Sequence, residues 1–162
     1  MRFFDASALV KRYVREPHSA AVRRWLTAGP AAVSRLSDVE VPSGLARLAR
    51  DGAISSAQRD RAITAFMSDV ETWHVVELSG EVATLARDLL TRFPLRSGDA
   101  IQLASALRIQ QVSLTPLTAF VAYDARLNTA SGGRLDNRLM GLGHGVGGEI
   151  GGRRRCQSVA CS

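Results

Sequence analysis

The sequence predicts an α/β fold built on a short parallel sheet. Short apolar runs recur along the chain without polar residues at alternate positions, as expected of parallel strands that are covered on both faces. The segments between these runs carry apolar residues at helical spacing. Strands that alternate with helices in this way are typical of α/β domains.

Four apolar runs are predicted to be strands: Phe3–Phe4, Ala31–Val33, Trp73–Leu78 and Ala119–Tyr123. Helical stripes occupy Ala21–Leu26, Ile63–Val70 and Val82–Phe93, and the segment Ala100–Leu107 is apolar almost all round. That last pattern predicts a buried helix. The predicted helix caps are Ser37, Ser55 or Ser56, Ser79 and Ser97.

The 162 residues predict one domain followed by a tail. Composition changes near residue 132, because nine of the 14 glycines lie between Gly132 and Gly152, just before Arg153–Arg155. Such a segment buries little apolar surface and loses much backbone entropy when it is ordered. We therefore expect a domain at residues 1–131 and a disordered, glycine- and arginine-rich tail at residues 132–162.

Composition and charge exclude several classes of protein. Apolar residues make up 46% and charged residues 22%, the balance of a folded soluble protein. The longest apolar runs have four to six residues, whereas a membrane span needs roughly 20. The only cysteines, Cys156 and Cys161, lie near the end and cannot organise a disulfide framework. The N-terminus lacks the apolar stretch of a secretory signal, so we expect a cytoplasmic protein without a membrane partner.

The net charge of +6, which comes largely from 20 arginines, favours binding to polyanions such as nucleic acid. An arginine bias can equally reflect G+C-rich coding DNA. Charge therefore leaves both interpretations open.

Four acidic residues stand at unusual places in the predicted elements. Asp5 directly follows the first strand and Asp124 the fourth, while Glu40 lies one turn into the helix after the second strand. Asp99 opens the buried helix. Because sites in open α/β sheets form at the carboxyl ends of strands, these carboxylates can meet at one edge. Their mutual repulsion would be relieved by Mg²⁺ or Mn²⁺, which prefers oxygen ligands and suits phosphodiester hydrolysis.

Each acid also has a purely structural interpretation. Ser37 and Glu40 fit a capping box, and Asp99 can favour the dipole of its helix. Asp5 and Asp124 can each cap a following helix. From residue placement alone, structural roles and a metal site both remain open.

Four segments of the chain resemble the acidic motifs of PIN-domain ribonucleases, specifically the VapC toxins of bacterial type II toxin–antitoxin pairs. They are FDASALVK (residues 4–11), SRLSDVE (34–40), SGDAIQLASA (97–106) and FVAYDARL (120–127). Their order and spacing also match, and the resemblance spans residues 1 to about 131.

This resemblance implies a three-layer α/β/α, PIN-like domain with a short parallel sheet of four or five strands. It also implies an endoribonuclease toxin that depends on Mg²⁺ or Mn²⁺, acts on RNA, forms a homodimer and is blocked by a cognate antitoxin. Asp5, Glu40, Asp99 and Asp124 would be its catalytic acids and metal ligands. Of these, Asp5 and Asp99 would bind the metal directly, and Ser7 would support Asp5.

Two alternatives remain open. One is a catalytically weak protein that binds RNA or an antitoxin, and the other is a PIN nuclease of RNA or DNA processing. Separately, the broad apolar stripes of Ile63–Val70 and Val82–Phe93 predict that these helices contribute to a dimer interface.

Overall fold

A parallel sheet of four strands runs through the middle of the molecule, in a computed structural model that describes residues 1–123. The strands are β1 (Arg2–Phe4), β2 (Ala31–Ser34), β3 (His74–Val76) and β4 (Ala119–Val121). Their order across the sheet is β3-β2-β1-β4, and all three pairings are parallel. The predicted parallel sheet is therefore confirmed, whereas a fifth strand and the predicted tail would lie outside the described residues.

Six helices connect the strands of this region. They are α1 (Ala6–Tyr13), α2 (Ser19–Thr27), α3 (Ser37–Arg50), α4 (Ser56–Val70), α5 (Gly80–Arg92) and α6 (Ser97–Val112). None of them is long and apolar enough to cross a bilayer. The helix α3 continues through Pro42, although that residue has no N–H to donate to the preceding turn.

The serine caps are only partly as predicted. Ser55 and Ser79 cap α4 and α5 through their side-chain oxygens. Ser37 and Ser97 are the first residues inside α3 and α6, so the prediction that they are caps is wrong. Each of these two helices begins one position earlier than a serine cap would place it.

Alternate residues of the strands build two separate cores. Phe3 and Phe120, whose rings stack with centroids 5.5 Å apart, face α5 and α6. Phe4 and Val33 face the opposite side, where they pack with apolar residues of α1 to α4. Because side chains of a strand alternate between its two faces, the short strands bury both faces at once. The result is the three-layer α/β/α architecture that the resemblance implied.

The order in which strands are added to the sheet reverses at β1, because β2 and β3 lie on one side of it and β4 on the other. The connections from β1 to β2 and from β2 to β3 cover one face, while α5 and α6 cross the other face to place β4 on the far side of β1. In open α/β sheets such a reversal leaves a crevice beyond the carboxyl ends of the strands. Asp5 lies there, and its backbone N–H donates to the carbonyl of Val121 at 3.0 Å.

Candidate active site

Asp5 is a buried carboxylate held at the end of β1. Only 5% of the residue is exposed, and it is also the N-cap of α1. Its Oδ2 accepts hydrogen bonds from the backbone N–H of Ser7 at 2.9 Å and from the Ser7 hydroxyl at 2.5 Å. The Ser7 Oγ in turn accepts from the backbone N–H of Tyr123 at 3.0 Å. Ser7 therefore supports Asp5 as predicted, and Asp5 also caps α1, which was its alternative structural role.

Burial raises the pKa of Asp5 from 3.8 to about 6. The two hydrogen bonds from Ser7 act in the opposite direction, because they stabilise the charged carboxylate. The negative charges of Glu40 and Asp99 raise the pKa further. Three of the four predicted acids therefore lie close enough together for their charges to interact.

Glu40 is partly buried in the first turn of α3. Its Oε2 accepts a hydrogen bond from Gln102 Nε2 at 2.7 Å. Burial raises the pKa of Glu40, as does the charge of Asp99, and the bond from Gln102 partly offsets this rise. The capping box expected of Ser37 and Glu40 is not formed, because Ser37 lies inside the helix and the Glu40 carboxylate turns to Gln102 instead.

Gln102 is the residue of this site that the sequence did not single out. It is fully buried in α6, where Nε2 also donates to Ser37 Oγ at 3.1 Å. Gln102 therefore ties α6 to the start of α3 and fixes the direction of the Glu40 side chain. The available signal was an amide within the mostly apolar stretch Ala100–Leu107, since a buried polar group needs a partner.

Asp99 lies in the first turn of α6, as predicted. Its Oδ2 accepts a hydrogen bond from the backbone N–H of Arg96 at 3.2 Å. The preceding residue, Gly98, lies directly against Glu40, because a Cβ atom added there would be 2.6 Å from Glu40 Oε1. The absence of a side chain at Gly98 therefore allows the two acid-bearing helices to approach each other.

These three carboxylates have no basic partner in residues 1–123. None of the ion pairs in this region includes Asp5, Glu40 or Asp99. Within the same residues, no group of three or more His, Cys, Asp or Glu side chains is gathered closely enough to hold a metal ion. The fourth acid, Asp124, lies outside the described residues, so convergence of all four acids stays a prediction.

The chemistry of these side chains nevertheless fits a hard divalent cation. Every candidate ligand is a carboxylate oxygen, the type that Mg²⁺ and Mn²⁺ prefer. Burial is the main cause of the raised pKa of Asp5 and of Glu40, and repulsion between the acids adds to it; a bound cation would relieve that repulsion. A partial set of protein ligands also suits Mg²⁺, which usually keeps several of its waters.

A pocket of about 480 Å³ lies elsewhere, at the opposite ends of α1 and α3 from the acids. Its lining includes Tyr13, Leu48 and Ile54, together with the charged residues Arg15 and Arg61. No predicted site residue borders this pocket, and we give it no role in the chemistry.

The raised pKa of Asp5 predicts how stability depends on pH. The folded chain holds the proton on Asp5 more tightly than the unfolded chain does. Protonation of Asp5 therefore stabilises the fold, fully below about pH 4, and this stabilisation is lost as pH rises through about 6. Asp5→Asn removes the charge and keeps an oxygen that can accept from Ser7. In metal-free buffer, the variant should gain up to about 3 kcal/mol over wild type at neutral pH and almost nothing near pH 4. Urea unfolding across this range measures the difference, and a gain that does not vary with pH would contradict the prediction.

Comparison with known proteins finds relatives that are named as VapC ribonucleases. Ribonuclease VapC47 of Mycobacterium tuberculosis is 36% identical over 132 residues, which cover 78% of this chain and 87% of the relative. Ribonuclease VapC46 of the same species is 35% identical, over 80% of this chain and 88% of the relative. The resemblance to VapC proteins is therefore confirmed.

Solved structures share the fold at lower identity. A toxin–antitoxin complex from Klebsiella pneumoniae contains a chain that is 19% identical, with a TM-score of 0.57 over 83% of this chain and 93% of the other. VapC20 of Mycobacterium tuberculosis, described as a sarcin-ricin loop cleaving toxin, is 17% identical, with a TM-score of 0.59 over 80% and 95% of the two chains. Residues 2–131 match the model of the PIN domain family. This chain therefore belongs to the PIN domain family.

Proposed function

We propose that this chain is a metal-dependent endoribonuclease that acts as the toxin of a toxin–antitoxin pair. The observation that carries the proposal is Asp5, buried at the carboxyl edge of the sheet beside Glu40 and Asp99 with no basic partner in residues 1–123. The relatives named ribonucleases support RNA as the substrate. The net charge of +6 supports it further, because a basic chain attracts a polyanion despite a local acidic site.

Asp5 and Asp99 would hold Mg²⁺ or Mn²⁺ directly, and Glu40 and Asp124 would bind it through water or hold a second ion. When bound, such a cation lowers the pKa of a water molecule and stabilises negative charge on a phosphoryl oxygen. The protein orients the carboxylates that would hold the cation. Ser7 holds Asp5 Oδ2 with two hydrogen bonds, and Gln102 holds Glu40 Oε2 with one.

Partners and location follow from the same proposal. A toxin of this kind would pair with a cognate antitoxin, and the similar chain from Klebsiella pneumoniae comes from a toxin–antitoxin complex. We place the chain in the cytoplasm, where RNA is available.

One assay separates this proposal from its alternatives. Purified protein is incubated with RNA and with single-stranded DNA in Mg²⁺, Mn²⁺ or EDTA. The proposal expects cleavage of RNA alone, and only with a cation. Cleavage of DNA would favour a PIN nuclease of nucleic-acid processing, and binding without cleavage would favour a catalytically weak binding protein.

Asp99→Asn should abolish cleavage without unfolding the chain. The amide keeps an oxygen that can accept from Arg96 but is a poor ligand for a hard cation. RNA cleavage should fall by orders of magnitude, while the melting temperature in EDTA should stay the same or rise slightly as repulsion with Asp5 is relieved. Asp60→Asn, at an exposed position of α4, is the matched control and should cleave normally. Cleavage by Asp99→Asn at the wild-type rate would show that this site is not the nuclease site.

Gly98→Ala should lower activity through Glu40. The added methyl group would lie 2.6 Å from Glu40 Oε1, so the carboxylate must shift, and this disturbs the hydrogen bond that its Oε2 accepts from Gln102. Cleavage should fall about 10- to 100-fold, as is usual when the orientation of a metal ligand is lost, whereas thermal melting should change little. Gly80→Ala is the control, because Gly80 also opens a helix and a Cβ there meets nothing within 4 Å. Equal activity of the two variants would contradict this role of Glu40.

We also propose a homodimer that uses parts of α4 and α5. The two helices lie on opposite faces of the sheet, and most of their apolar side chains fill the cores. Met67 and Leu90 remain 46% and 41% exposed and are the apolar surface left for a partner subunit. Sedimentation at micromolar concentration should show a dimer that Met67→Glu weakens, and a monomeric wild type would count against it.

A further inference from the structure

A small aromatic cluster formed by residues of the α1–α2 loop and of the segment after β4 is not used by the chemistry above. The rings of His18 and Tyr123 are stacked, with centroids 5.2 Å apart and an interplanar angle of 24°. The ammonium group of Lys11 lies 5.0 Å from the centroid of the Tyr123 ring. We call His18 and Tyr123 the aromatic pair.

The aromatic pair is coupled directly to the buried acid. The backbone N–H of Tyr123 donates to Ser7 Oγ at 3.0 Å, and the same hydroxyl donates to Asp5 Oδ2 at 2.5 Å. A single serine side chain therefore separates the backbone of Tyr123 from the carboxylate of Asp5. One member of the aromatic pair, Tyr123, is therefore carried by a segment whose backbone is hydrogen-bonded to the residue that supports Asp5.

His18 adopts a backbone conformation that is uncommon for a residue other than glycine. It has φ 72° and ψ 0°, in the left-handed region that favours glycine or asparagine. It is also the N-cap of α2, where Ser, Thr, Asp or Asn would satisfy a backbone N–H, but its side chain makes no capping bond. Because the side chain takes no part in capping the helix, the ring is free for another role.

The loop that carries His18 is fixed from both ends. Lys11 forms an ion pair with Glu16 at 2.9 Å. Buried Ser19 donates to the carbonyl of Val14 at 2.8 Å and accepts from the backbone N–H of Glu16 at 2.9 Å. The exposed imidazole is therefore presented in a set position, and little ordering would be needed when a ligand stacks on it.

The charges around the aromatic pair favour a flat neutral group over a phosphate. The Lys11 side chain is only 15% exposed, and its charge is matched by Glu16. Among residues 1–123, His18 is exposed, so its ring is available to a ligand. Unpaired RNA bases are commonly recognised by stacking on aromatic side chains, histidine included.

We propose that the aromatic pair is a stacking subsite for an unpaired RNA base next to the bond that is cleaved. This inference rests on the proposed ribonuclease function and adds the position of a base to it. A peptide side chain from a partner protein is the competing occupant, and the experiment below distinguishes it.

The test compares His18→Asn with His74→Asn. Asparagine tolerates the left-handed backbone but offers no aromatic face, and His74 is an exposed histidine at the start of β3. The substrate is an oligoribonucleotide that the wild type cuts at one position, together with a series in which one base at a time is replaced by an abasic residue. Thermal melting confirms that each variant is folded, and His18→Gly replaces His18→Asn if the latter does not fold.

We expect His18→Asn to reduce kcat/KM about tenfold on the intact substrate, the usual scale for loss of one stacked base, while His74→Asn changes nothing. For the wild type, kcat/KM should fall by the same factor on the substrate that lacks one particular base beside the cut. On that substrate His18→Asn should be as active as the wild type, because ring and base act as a pair. His18→Phe should keep most of the activity on the intact substrate.

Two results would overturn the stacking subsite alone. In one, the wild type cuts RNA and His18→Asn cuts it equally well. Unchanged cleavage would assign the aromatic pair to a partner protein instead. In the other, the losses from His18→Asn and from every abasic position simply multiply, which would show that the ring contacts none of these bases. A wild type that cuts no RNA with either cation would instead overturn the proposed function, and the subsite with it.

Discussion

A carboxylate at the end of β1 is buried beside two others, and no Lys or Arg side chain of residues 1–123 pairs with any of the three. Burial of an unpaired charge is costly, and for Asp5 the cost appears as a pKa raised to about 6. Only the hydrogen bonds from Ser7 offset it. A fold that served stability alone could place an uncharged N-cap such as serine or asparagine here, so the buried charge favours a ligand that carries positive charge.

The surrounding structure keeps the three acids from moving apart. The starts of α3 and α6 meet at Gly98, and Gln102 joins the two helices through Ser37 and Glu40. Each helix is in turn anchored in its own core, α3 on one face of the sheet and α6 on the other. Two independently packed layers thus converge on one edge of a short sheet. Such rigid support is what a site that orients metal ligands requires.

The sequence predicted the positions of Asp5 and Asp99, because a strand end and the start of a buried helix can be recognised from local patterns. It did not predict where the Glu40 side chain points, since the S-x-x-E spacing fits a capping box and only tertiary contact with Gln102 decides otherwise. Nor could it identify His18, whose left-handed backbone and stacking on a residue 105 positions later both depend on the folded chain. Local patterns indicate where acids enter a site, whereas the partners that orient them come from distant segments.

We propose that a divalent cation completes the cluster of acids. Calorimetric titration of Mn²⁺ into the full chain at neutral pH tests it without relying on cleavage. Saturable binding is expected for the wild type, with a large loss of affinity in Asp5→Asn, because that substitution removes a buried anionic ligand while keeping the fold. The absence of saturable binding, or equal affinity in the wild type and Asp5→Asn, would contradict the claim.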